Sequence, residues 1–334
     1  MIMQMKLYNE QVKEKLDEME TVTLELELDP QIQSVLALKL PIGRVKCKKE
    51  RQRFFLSTVE RSLNDCQVEL MKGVKINIPC GKGDGHTGVT YLQGDQVMLT
   101  DFSNNKVHLL DSSYQYIASL ALPGSPRDIC VVDDKEIVVS LTEMKTLQFL
   151  SVTNGFIKLT RTVQTRFKCQ GIASKGRGEL VVSGNCNDSG KHYWSLVTST
   201  GEKETCHEFD CQCHPSMTYV ALNSSCTRVY VTVMNDHSLY CFNMDGMMLF
   251  HYSHESLLYP VGVATDRDEN VYLVGHESQN IHQLKSDGTP MRIITKNVPY
   301  DVYAICFNSR RDKFLVTTIS IQLERKNLYV FRLK

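Results

Sequence analysis

Five potential metal ligands fall within nine residues at Cys206, His207, Cys211, Cys213 and His214. Zinc sites present thiolates and imidazoles in pairs two to four residues apart, so that one turn delivers both to the ion. The steps from Cys206 to Cys211 and from Cys211 to Cys213 fit that pattern badly, and a strand would throw Cys211 and Cys213 onto one face. The spacing therefore predicts a chain crossing with incidental thiols and no metal centre. A second candidate is Gly81-Lys-Gly-Asp-Gly-His86. A phosphate loop needs a following helix whose first amides cradle the anion. Here a strand-like run follows, so the glycines read as a flexible crossing.

The elements that must position these groups come from the whole chain of 334 residues, 42% of them apolar, enough for a sizeable core. Lysine and arginine number 38 and aspartate and glutamate 38, a formal charge of zero, so no global field draws the protein to nucleic acid or anionic lipid. The longest apolar runs are strand-sized, far short of a membrane span. Twelve cysteines are scattered through such runs, as at Cys130, Cys226, Cys241 and Cys306, where they read as small buried hydrophobes of a reducing compartment. The N-terminus shows no basic segment followed by an apolar stretch and a cleavage site, and the expected location is cytoplasmic.

Between residues 5 and 26, Met5, Tyr8, Val12, Met19, Val22 and Leu26 step by threes and fours, with a lapse at Lys15. That seam predicts a coiled-coil stub over residues 1–29, stopped by Asp29-Pro30 and able to pair with a second copy. Residues 30–73 read as a connector with weak strands. It holds the densest basic run of the chain, Arg44, Lys46, Lys48, Lys49, Arg51 and Arg53, taken here as a solvated face.

From residue 74 to 334 short strand-like runs alternate with turn signals. Similar units begin at Gly88, Asp128, Gly171, Met217, Gly262 and Asp301. A period of this length predicts four strands per repeat and an all-β, six-bladed β-propeller. The last unit lacks a fourth strand, and Val74-Lys-Ile-Asn-Ile-Pro79 is the expected donor that closes the ring. Innermost strands carry carboxylates only at Asp128 and Asp301, too few for the calcium cage of a propeller hydrolase. Reading each crossing where it leads into an innermost strand gives His86, Arg127, Lys168, His214, Tyr259 and Tyr300 as the residues expected to form a partner-binding face.

Pro260-Val-Gly-Val-Ala-Thr, Asn270-Val-Tyr-Leu-Val274 and Ser286-Asp-Gly288 resemble the NHL repeat, as does Thr100-Asp-Phe-Ser-Asn-Asn-Lys-Val107. Leu122-Pro-Gly-Ser-Pro126 and Val138-Val-Ser-Leu141 resemble the propellers of tripartite-motif proteins, in which a coiled coil precedes the propeller. The resemblance implies a substrate-recognition platform in the ubiquitination pathway. The RING and B-box modules of that family have no counterpart, since no cysteine or histidine precedes Cys47, and ligase activity is not expected. The expected ligand is a protein or peptide, bound without a cofactor and without catalysis. The alternatives are an RNA-binding NHL-type propeller and, after it, a calcium-dependent hydrolase.

Overall fold

The computed structural model describes residues 68–333 except 75, 77–83, 134–135, 187–190, 212–215, 295–297, 299 and 321–327. The coiled-coil stub, the basic run from Arg44 to Arg53 and most of the expected connector lie outside the described residues.

Six antiparallel sheets of four main strands each follow one another around a closed ring. The innermost strands are Val89–Tyr91, Pro126–Val131, Lys168–Gly176, Thr218–Leu222, Pro260–Thr265 and Val302–Phe307. Of the six unit starts read from the sequence, Asp128, Gly171 and Gly262 fall inside these strands and Gly88, Met217 and Asp301 one residue before them. Second strands such as Val97–Asp101 and Val271–Gly275 are buried on both faces, which is why they read as continuous apolar runs. Outermost strands such as Tyr116–Ala121 alternate between half-buried and exposed positions, as a sheet with one wet face requires.

Ring closure uses a different strand from the expected one. Val68–Val74 runs antiparallel to Leu328–Leu333, from Val68 opposite Leu333 to Val74 opposite Leu328, and supplies the outermost strand of blade six. Its register shifts between Leu70 and Lys72, so the alternation that marks a strand is broken midway. Val68 and Leu70 pack on the core. Ile76, inside the expected strand, is buried against Val89 and Val97 without a ladder position. A two-residue strand, Asp84–Gly85, then bonds Ser320 and Ile319, so the chain is tied to blade six a second time before it forms blade one.

Hydroxyls of the second strands fasten neighbouring blades. Ser140, Thr232 and Thr317 each accept an amide of their own blade, from Asp128, Tyr219 and Ala304 respectively. They donate to a carbonyl of the next blade, at Gln170, Val261 and His86. Blade five carries Val274 at the matching place. Glycine allows the closest approaches between blades. A Cβ on Gly88 would stand 2.9 Å from the Asp128 Cα, and one on Gly171 would stand 2.6 Å from the Tyr219 Cα.

A braced channel and an open chamber as candidate sites

The channel has an upper end, where crossings lead into the innermost strands, and a lower end, where those strands turn back. Near the upper end side chains from four blades meet across it. Arg127, at the start of blade two, points its guanidinium over Phe102 at 4.3 Å and donates from Nη1 to the Tyr303 hydroxyl of blade six at 3.2 Å. The Tyr303 hydroxyl in turn donates to the Met217 sulfur at 3.0 Å. Tyr219, from blade four, meets the Tyr303 ring edge to face at 5.8 Å and donates to the Thr87 carbonyl at 2.9 Å. Burial pushes both tyrosine hydroxyls up, so each stays protonated and able to donate. These contacts form a brace across the channel, and they join residues no local pattern connects.

Above the brace the crossings form the upper face. Tyr300 is 62% exposed there, Met144 46% and Leu258 39%. Tyr259 is half-buried, its ring 4.6 Å from that of His237, and its amide donates to His237 Nδ1. Lys168 pairs with Glu143 at 2.6 Å across the crossing from blade two to blade three. His86 is fully buried rather than presented on the face. Its Nδ1 sits 3.2 Å from the Thr100 carbonyl, and its ring meets that of His108 edge to face, with His108 Nε2 on Asp101 at 3.0 Å. Arg127 is committed to the brace, and His214 lies outside the described residues. Of the six expected face residues the structure thus brings Lys168, Tyr259 and Tyr300 to this surface. Leu258 and Met144 had no sequence signal beyond their loop positions.

Below the brace the channel widens into a chamber of about 1110 Å³, open at the lower end between the turns that hold Gly94, Asn223 and Arg311. Asp128 lines it. Its Oδ1 accepts the amide of Ile129 and its Oδ2 that of Ile172 in blade three, both at 2.9 Å. Burial dominates over these two bonds and pushes the carboxyl up to about 7. Cys130 and Cys306 line the same wall, and burial pushes both thiols up, Cys306 to about 11. Neither is a reactive thiolate at neutral pH.

The cysteine and histidine cluster does not converge where it is described. Cys206 and His207 are neighbours on the strand Glu204–Phe209 and point to opposite sides: Cys206 is exposed, and His207 stacks on Trp194 with ring centroids 4.2 Å apart. Cys211 instead meets His192, a partner 19 residues upstream, with Sγ 3.2 Å from Nδ1. The Ser216 amide donates to His192 Nε2, so the Nδ1 proton faces the sulfur. Cys213 and His214 fall outside the described residues. Among the described residues no three histidine, cysteine, aspartate or glutamate side chains are grouped to hold a metal, and no helix is long and apolar enough to cross a membrane.

No family model and no curated protein matches the chain. Solved structures do. Regucalcin from Agrobacterium tumefaciens, a calcium-binding protein, superposes with a TM-score of 0.58 at 13% identity over 79% of this chain and 93% of its own. Virginiamycin B lyase from Staphylococcus aureus gives 0.56 at 13% identity, over 80% and 100%. A chain of a nidogen–laminin complex gives 0.54 at 12% identity, over 67% and 85%. At these identities the likeness shows the fold, a six-bladed β-propeller shared by enzymes and by proteins that bind other proteins.

Proposed function

We propose that this propeller is a recognition platform that binds a protein segment on its upper face, in the manner of the substrate-binding propellers of tripartite-motif proteins. One observation carries the reading. The Arg127, Tyr219 and Tyr303 brace spans the channel beneath the face, whose crossings present Tyr300, Leu258, Met144 and Tyr259. Rigid aromatic side chains on a fixed scaffold lose little conformational freedom when they are covered, which makes them the usual anchors of peptide contacts. The structural likeness to a chain solved in a complex of two proteins accords with this.

A non-catalytic role is supported by the chemistry of the channel. Its deep carboxylate, Asp128, is held in place by one backbone amide on each oxygen, and the thiols beside it are held protonated. Neither is poised as a nucleophile.

Selection of displayed peptides on the intact chain, followed by titration of the enriched sequences, tests the reading. Tyr300→Ala and Leu258→Ser should each weaken binding about tenfold, on the order of the 1.4 kcal/mol that a peripheral anchor contributes, with unchanged melting temperature. Enriched peptides that bind both variants as tightly as the parent would refute it. So would a chain that selects no peptide but binds single-stranded RNA in a saturable, salt-sensitive way.

A further inference from the structure

The chamber below the brace has no part in peptide recognition on the upper face, and its composition points to a separate ligand. Its volume, about 1110 Å³, exceeds what an ordinary drug-sized molecule fills. The walls are polar and apolar in about equal measure, and Val89, Ile129, Ile172 and Val263 from four different blades supply aliphatic surface. Tyr91 and Tyr219 add aromatic faces.

Charge is distributed unevenly within this space. Asp128 lies at the blind end, next to Arg127 of the brace along the strand. The other charged lining residues, Asp133 and Arg311, belong to the turns at the mouth, where Arg311 is held by Ser224, Thr265 and the carbonyl of Asp266. The titratable groups that face Asp128 are Tyr219, Cys130 and Cys306, all kept neutral by burial. Each Asp128 oxygen accepts one amide, and a carboxylate oxygen can accept more than one bond. No cation of the protein is paired with it among the described residues. A buried carboxylate of this kind repels anions and favours a ligand that brings its own positive charge.

We propose that the chamber binds a small molecule with a protonated amine on an aromatic or apolar body, its ammonium on the Asp128 carboxylate and its body against Tyr91, Tyr219 and the aliphatic wall. The amine's own charge neutralises the buried carboxylate. Two of the ammonium's three N–H donors match the two remaining lone-pair sites of Asp128, and the aromatic faces suit a cation. A metal ion is disfavoured by geometry, because two backbone amides already direct their protons at the carboxylate, and among the described residues no group of three histidine, cysteine, aspartate or glutamate side chains forms around it.

The experiment uses the intact chain and a panel of arylalkylamines represented by phenethylamine, each compared with its N-acetyl derivative and with the matching carboxylate. Binding is read by calorimetry, and by mass-spectrometric measurement of how fast Cys130 and Cys306 react with a maleimide. The amine should bind at least tenfold more tightly than either analogue and slow modification of both thiols. Near pH 6.5, where the empty site is partly protonated, binding should release protons, seen as a heat that depends on the buffer. Asp128→Asn should abolish the preference for the amine. Ala264→Arg, which sets a cation in the chamber wall while leaving Asp128 in place, should weaken the amine at least tenfold and not the matching carboxylate, and it serves as the test if the Asp128 variant does not fold. Equal affinity for amine and acetylated analogue, amine affinity unchanged by Ala264→Arg, or no saturable binding by any amine of the panel would each overturn the proposal.

Discussion

The Arg127 guanidinium and the Tyr303 hydroxyl, 176 residues apart in sequence, meet at 3.2 Å across the axis of the ring. Their bond joins blades two and six, which are not neighbours, and separates the upper face from the chamber below. Removing the hydroxyl with Tyr303→Phe strands the Arg127 donor and the contact to Met217 while keeping the ring. The expected cost is about 1–2 kcal/mol of unfolding free energy, within the range for losing one partner of a buried hydrogen bond. Denaturant unfolding of the variant checks it, and an unchanged midpoint would show that the brace adds nothing to stability.

Thr317 both accepts from Ala304 and donates to the carbonyl of His86, so it closes the ring from the inside as Val68–Val74 does from the outside. Thr317→Val conserves shape and removes the hydroxyl from both the Ala304 amide and the His86 carbonyl. A loss of about 2 kcal/mol is expected. The same change at the exposed Thr160 should alter the unfolding midpoint hardly at all, which separates the staple from the general effect of the substitution.

Gly88 is required by the closeness of blades one and two. An alanine there would bring Cβ within 2.9 Å of the Asp128 Cα and 3.1 Å of its Oδ1, and backbone rather than a flexible side chain would have to move. Gly88→Ala should cost about 2 kcal/mol or more, whereas Gly94→Ala, whose Cβ meets nothing within 4 Å, strains only its own turn. Thermal unfolding of the two variants side by side distinguishes crowding from conformational preference.

Asp128 gives the stability curve a definite sign. Burial raises its carboxyl from 3.8 to about 7. Below the lower value both folded and unfolded chains hold the proton and the group costs nothing. Between the two values the unfolded chain ionises first, so stability falls as pH rises, and above the upper value the loss is constant. Asp128→Asn removes this dependence. Relative to the parent, the variant should therefore gain stability between about pH 4.5 and about pH 7.5, measured by urea unfolding at both. A constant difference would place the Asp128 carboxyl near its ordinary range.

The repeat was legible because second strands such as Glu136–Leu141 are buried on both faces and so appear as unbroken runs ending in a hydroxyl that serves the next blade. The closing strand was misplaced because Val68–Val74 has an exposed Met71 and a register shift at Leu70, which hide its period, whereas 74–79 alternates cleanly. Among the site residues, Tyr300 and Lys168 follow from counting crossings. His86 does not, since its place at a crossing gave no hint of the Asp101 and His108 pair that buries it. Asp128 was visible as one of two inner-strand acids. The chamber around it was not, because its mouth is made by turns from separate blades that only the closed ring assembles.

The most direct test of the account is to place a photo-crosslinking side chain at position 300 of one preparation and at position 264 of another, add a selected peptide, and map the adducts. Crosslinks from position 300 and none from position 264 are the expected result, since the brace separates the upper face from the chamber. A peptide captured from position 264 and not from position 300 would contradict recognition on the upper face.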